Sequence, residues 1–395
     1  MPVQAIRRTS GTLALYGAFG CLGYLLTGLG AILPELREER GLPRAEAALY
    51  PSAFALGLVI VGLAGHRAAA RLGRAALPAS LAALAGGAAL MAAGGGRLGA
   101  GLGALVLGLG GAGLVQLVPA ALRSAHGGDA SVPIGEANAV ASTASIVSPL
   151  LIGAALAHGL GWRLSFALPP LAVAAALILT RLVVLPATMD AGGDAGGDAG
   201  GDAGGDAERG TGRASAAFVS RWCDLVLAVG VEFCMVFWAA DFLRTVKGFG
   251  SGSATTLSAA FVLGMAAGRA VAAPIVRAAG RPDRLLAASA AVGLAGFAVL
   301  WAAPAPVAVG GLLVAGLGVA LLYPVILGRA LAAWPDAPVR AAARCALASG
   351  VAIGTAPLVL GTLADLTTLR AAVLVAPALL LVLLARCARR LSATG

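Results

Sequence analysis

The chain has 395 residues, of which 59% are hydrophobic, 57 are Gly and only 12% are charged, with a mean hydropathy of +0.92. Soluble domains run at about 45 to 50% apolar with Gly counted and about 25% charged, so a water-soluble enzyme is excluded. The net charge of +10 does not indicate nucleic acid, because the Arg residues stand singly or in threes between apolar runs and form no basic stripe interleaved with aromatics. What remains is a polytopic helical protein embedded in a lipid bilayer.

In chain order, apolar runs of about 20 residues fall near 11–33, 47–65, 75–94, 98–122, 137–157, 164–185, 223–243, 254–276, 285–303, 306–328, 341–364 and 366–386. At 1.5 Å per residue each can cross the hydrocarbon of a bilayer as a helix. Backbone groups in lipid must pair internally, and no ten-residue alternation suggests a barrel, so the expected fold is all-α with twelve transmembrane helices. The first run follows Arg7 and Arg8 as a signal peptide would, but its apolar core is too long for one and reads as an uncleaved span. An even number of spans puts both ends on one side. Loops on that side, holding residues such as Arg67, Arg71, Arg74, Arg277, Arg281, Arg284, Arg386, Arg389 and Arg390, carry more than twice the positive residues of the opposite loops. The positive-inside rule therefore predicts cytoplasmic termini in the plasma membrane.

Between spans six and seven, Ala-Gly-Gly-Asp repeats over residues 191–206. Residues 186–214 read as a flexible acidic linker between an N-terminal six-helix half, 1–185, and a C-terminal half, 215–395. The repeats lack the regular apolar position that a calcium-binding Gly-Asp solenoid requires. Cys21, Cys223, Cys234, Cys345 and Cys387 show no ligand spacing, and His66, His126 and His158 are far apart, so no metal site or cofactor is expected. Gly108-x-Gly110-x-x-Gly113 has the letters of a dinucleotide loop but lies inside a long apolar run with no preceding strand, which makes it a helix-packing motif. With no phosphate-binding loop, the chain has no means of its own to use ATP.

An internal repeat divides the chain. Gly108-Leu109-Gly110 recurs as Gly316-Leu317-Gly318, and Pro149 with Gly153 recurs as Pro357 with Gly361, all at an offset of 208. Gly73-Arg74 and Gly280-Arg281, and Arg163 and Arg370, follow at 207. Such order and spacing imply two pseudo-symmetric six-helix bundles, the architecture of alternating-access carriers. The loop Ala69-Ala70-Arg71-Leu72-Gly73-Arg74 resembles the signature loop of the major facilitator superfamily, with Ala70 in place of its acidic residue and His66 in place of its first Gly. Gly108–Gly113 is similar to that family's Gly-rich fourth helix, and Gly161-Trp162-Arg163 with Phe166 to the entry of its sixth. The resemblance implies a transporter whose helices one, four, seven and ten line a central cavity.

Glu232 stands about nine residues inside span seven, where an ionised carboxylate is costly unless paired, hydrated or protonated. Desolvation favours the neutral acid and a nearby cation favours the carboxylate, so such a group can couple proton uptake to transport. Arg269, inside span eight at a similar depth, is its expected partner. Tyr24 and Thr27 share a face of span one, and with Gln116, Trp238 and Tyr323 they are the candidate solute contacts. Asp365 reads as a gate or cap, Pro149, Gly153, Pro357 and Gly361 as packing and gating positions, and Asp224 and Asp241 as interfacial residues. Glu136 and Asn138 read as loop-side caps. The expected function is secondary active transport of a small organic solute by a proton-coupled monomer. Proton-antiport efflux of drugs or metabolites is the alternative, and a non-transporting sensor with the same fold is the second.

Overall fold

The computed structural model describes residues 8–93, 96–126, 130–182, 215–278 and 280–393, and the 186–214 linker lies outside the described residues. Twelve spans are present among them. In the first half they are α1 (Ser10–Glu39), α2 (Arg44–Leu72), α3 (Ala76–Ala93), α4 (Arg97–Ala125), α5 (Ser131–Ala157) and α6 (Arg163–Leu179). In the second they are α7 (Ala216–Thr245), α8 (Ser251–Ala270), α9 (Pro282–Ala302), α10 in two pieces (α10a, Ala305–Val319; α10b, Leu322–Ala332), α11 (Pro338–Leu366) and α12 (Val375–Ala393). Ten spans have the length and apolarity to cross a membrane by themselves. The others are α6, with 17 residues, and α8, whose last turn carries Arg269.

Three runs expected to be continuous are interrupted, each three or four residues before a proline. The run containing α8 breaks after Ala270, ahead of Pro274, and resumes as Ala272–Ala278. α10 breaks at Ala320 and Leu321, ahead of Pro324, and the last span breaks at Val373 and Leu374, between Leu369–Ala372 and α12, ahead of Pro377. Proline has no N–H to bond the carbonyl four residues back, and its ring crowds that carbonyl. Proline permits a break without compelling one: Pro34, Pro51, Pro119, Pro149 and Pro357 sit inside unbroken helices.

The two halves repeat one packing scheme. α1 packs on α5 and α6, α2 on α4, and α3 on α4 and α6; α7 packs on α11 and α12, α8 on α10, and α9 on α10 and α12. The halves meet where α2 crosses α11, where α5 crosses α8, and along α1 and α7. Lipid offers no hydrophobic drive between helices, so close backbone approach is the main source of attraction, and small residues allow it. A Cβ on Gly108 would sit 2.1 Å from the Phe54 carbonyl oxygen, and one on Gly316 would sit 2.0 Å from that of Phe261. Gly110 is pressed in the same way on Leu84, and Gly318 on Gly293. The repeated loop glycines have a different reason to be glycine: Gly73 (φ 50) ends α2 and Gly280 (φ 61) precedes α9, both in the left-handed region. Arg71 lies in the last turn of α2, Arg74 in the short turn Gly73–Ala75, and Arg281 at the start of α9.

Candidate functional site between the halves

Glu232 lies near the middle of the 30-residue α7. Its Oε1 is 3.5 Å from Nη2 of Arg269, so the two membrane-embedded charges found in the sequence are brought together. The α10 break completes the arrangement. Pro324 leaves the Ala320 carbonyl without its helical donor, and Arg269 Nε donates to that carbonyl at 3.5 Å. Gly268 lets α8 come this near, since a Cβ there would sit 2.6 Å from Cβ of Ala320. Tyr323, beside the same break, faces Ser349 of α11 and lies within electrostatic reach of Glu232 and Arg269.

The pair borders a cavity of about 90 Å³ between the halves. Leu26 and Thr27 of α1 and Ser142 and Ser145 of α5 line one wall; Glu232, Phe233 and Val236 of α7 and Val262, Met265, Ala266 and Arg269 of α8 line the other. Thr27 donates to the Ser145 carbonyl at 2.8 Å, and Ser145 donates to the Gly23 carbonyl at 2.9 Å. The Ser142 hydroxyl has no partner among the described residues.

Other named candidates lie elsewhere. Tyr24 donates to the Ser165 carbonyl and ties α1 to α6. Trp238 is buried and donates to the Pro357 carbonyl at 3.1 Å, with its ring against Gly361. Gln116 reaches the Val61 carbonyl at 3.4 Å, from α4 to α2. Gly153 packs on Gly252 and Thr256 at the α5–α8 crossing, while Gly361 packs on the Arg44 carbonyl at the α2–α11 crossing. The two repeat-related glycines thus occupy equivalent places between the halves. Pro149 is buried in α5.

At the end opposite the termini, charged groups join the halves. Asp365 at the end of α11 accepts from the Arg44 and Ala45 amides at 2.9 and 2.7 Å, capping α2 across the interface. Asp241 is 2.8 Å from Arg44 and 3.6 Å from Arg37, and Arg244 holds Glu35 at 2.5 Å and Glu38 at 2.6 Å. At the terminal end the pairs stay within a half. Asp224 is held by Arg386 at 2.6 Å and Arg390 at 2.5 Å, and Asp283 is held by Arg221, Arg329 and Arg390. Glu136 is held by Arg8 and Tyr16, and Asn138 donates to the Ile134 carbonyl within its own helix. Asp224 and Asp241, expected at membrane interfaces, are therefore buried ion-pair centres, at 0% and 1% exposure. An arginine from a distant helix supplies the compensation that a sequence position alone does not reveal. Asp365 lies at the far end as the cap its position suggested, whereas the far-end ion pairs and the α5 serines were not expected from the sequence. The available signals were the charge-dense stretch Glu35–Arg40 and the polar run Ser142-Thr143-Ala144-Ser145.

A central polar site between two pseudo-symmetric bundles defines a membrane carrier of the alternating-access class. The major facilitator superfamily model matches residues 15–342, and the chain belongs to that superfamily. No curated protein matches by sequence. Among solved structures, an inward-facing, unoccupied bacterial homologue of the human lysosomal transporter Spinster aligns with a TM-score of 0.73 at 16% identity, covering 96% of each chain. The nucleoside transporter NupG gives 0.73 at 13%, covering 96% of this chain and 98% of its own. The xylose transporter XylE from E. coli, in a partially occluded inward-open conformation, gives 0.66 at 14%, covering 95% and 97%. These identities speak for the fold alone. The protein is a multi-pass membrane transporter for a small-molecule solute, not an enzyme.

Proposed function

We propose that this carrier is proton-coupled, with Glu232 as the group that gains and loses the proton and Arg269 as the partner that reads its charge state. The observation that carries the reading is the 3.5 Å Glu232–Arg269 pair on the wall of a cavity lined by both halves. Ionised Glu232 is compensated by Arg269. Protonated Glu232 releases it, and the arginine must then find another partner. A change of partner at a site shared by two rocking bodies gives the proton differential contacts in the two states, and differential contacts are what shift a conformational equilibrium. The excess of Arg at the terminal end supports placing that end in the cytoplasm of a plasma membrane.

The test is transport in proteoliposomes. The wild-type protein is expected to move solute under an imposed pH gradient. Glu232→Gln is expected to lose gradient-driven accumulation while keeping solute exchange across the membrane. Unaltered pH-dependent transport in Glu232→Gln overturns the assignment, and saturable ligand binding without any flux returns the protein to the sensor reading.

A further inference from the structure

The charge arithmetic of the central site, together with the proton reading on which it rests, restricts the chemistry of the solute. A guanidinium group carries a fixed positive charge in proteins. With Glu232 ionised the pair sums to zero, and with Glu232 protonated it sums to plus one. In neither state is the site negative.

No other acid alters this sum. From α1, Tyr24 turns to α6, and Glu35 and Glu38 are taken by Arg244 at the far end. From α5, Glu136 is taken by Arg8. Within α7, Asp224 and Asp241 are held by their own arginines. α8 presents Arg269, α10 presents Tyr323, with Arg329 committed to Asp283, and α11 presents Cys345 beside Tyr323. From α12, Arg386 and Arg390 are committed to Asp224, and Cys387 lies in that same cluster. Glu232 and Arg269 are thus the charged groups that set the field at this cavity among the described residues.

Arg269 is also built to receive a ligand. Nε is directed to the Ala320 carbonyl and Nη2 to Glu232, both at 3.5 Å, and Nη1 has no partner among the described residues. Its side chain is 41% exposed. Across the cavity the free Ser142 hydroxyl is a further donor, while Leu26, Phe233, Val236, Val262 and Met265 supply an apolar surround. We propose that the solute is a small organic anion, a monocarboxylate with an apolar body, whose carboxylate is received by the open edge of Arg269 when a proton resides on Glu232. One proton and one monoanion then occupy the site together, its total charge returns to zero, and the loaded carrier crosses the bilayer electrically neutral. A cation at Glu232 would have to displace Arg269 and leave that arginine unpaired beside it, so proton-antiport efflux of amines is disfavoured on the same ground.

The test uses purified protein and matched probes: butyrate, butylamine and butyramide, and benzoate, benzylamine and benzamide. Thermal stabilisation is read at about pH 5.5 and about pH 8. The carboxylates are expected to stabilise the protein, with binding about tenfold tighter at the lower pH, equivalent to about 1.4 kcal/mol. Glu232→Gln is expected to bind them as tightly at the higher pH as the wild type does at the lower. Arg269→Gln is expected to lose the response and Arg269→Lys to retain it, which separates charge from folding. Greater stabilisation by the amines or amides, or by no carboxylate at the lower pH, overturns the anion assignment. Amine binding that still changes with pH through Glu232 overturns the anion assignment and leaves proton coupling standing. Carboxylate binding equal at both pH values and indifferent to Glu232→Gln overturns coupling and keeps the anion assignment.

Discussion

The two ends of the bundle use charge in opposite ways. At the terminal end, Asp224 and Asp283 are enclosed by four arginines of their own half, and Glu136 is paired inside the other half. At the far end, Asp241, Asp365, Glu35 and Glu38 reach across to the opposite half. Among the described residues, every ion pair that joins the halves lies at that far end. An intra-half pair makes a rigid body, whereas a cross-half pair sets the angle between two rigid bodies. Among the described residues the cross-half ion pairs thus form a latch at one end, and the Glu232 cavity is lined by helices of both halves.

The largest expected effect breaks the rigid-body side of this comparison. Asp224→Asn takes away the carboxylate that Arg386 holds and leaves Arg390 with Asp283, and losing one partner of a buried pair costs about 3–5 kcal/mol. Thermal unfolding in detergent should show a large drop with little change in the balance of open and closed states. Next is Gly316→Ala, which forces a methyl into the Phe261 carbonyl and is expected to cost about 1–3 kcal/mol; Gly108→Ala against Phe54 should cost the same if the halves are equivalent. Asp241→Asn sharpens the latch side. It should lower thermal stability less than Asp224→Asn, because Asp241 is paired more loosely, at 3.6 Å to Arg37 and 2.8 Å to Arg44 against 2.6 and 2.5 Å at Asp224, yet raise several-fold the rate at which a membrane-impermeant maleimide labels a cysteine placed at buried Ala48. Labelling unchanged by Asp241→Asn would remove the latch. The smallest effect is at Lys247, which donates to the Trp301 and Ala303 carbonyls at 3.1 and 2.7 Å, within one half. Lys247→Met should lose about 1 kcal/mol and leave the labelling rate alone.

How far the site was legible depends on the residue. Glu232 and Arg269 stood out because a charge inside an apolar run is expensive wherever the chain goes, and the structure pairs them. Thr27 faces the cavity as its helix position suggested, but Tyr24, one turn away, is spent on the Ser165 carbonyl and Trp238 on that of Pro357. Periodicity places a side chain on a helix, but it does not say which neighbour that face meets. Tyr323-Pro324 was visible as a proline in an apolar run. That its break presents the Ala320 carbonyl to Arg269 depends on Gly268 bringing α8 against it, a contact between segments about 50 residues apart.

Composition and spacing by themselves determined a lipid-embedded, all-helical, duplicated chain, because burying backbone in hydrocarbon leaves few alternatives and a tandem repeat keeps its register. Tertiary structure alone decided which charges are partners. Asp241 finds Arg44 and Asp365 finds the start of α2 from 197 and 321 residues away, and Coulomb energy depends on distance through space, which local sequence does not encode.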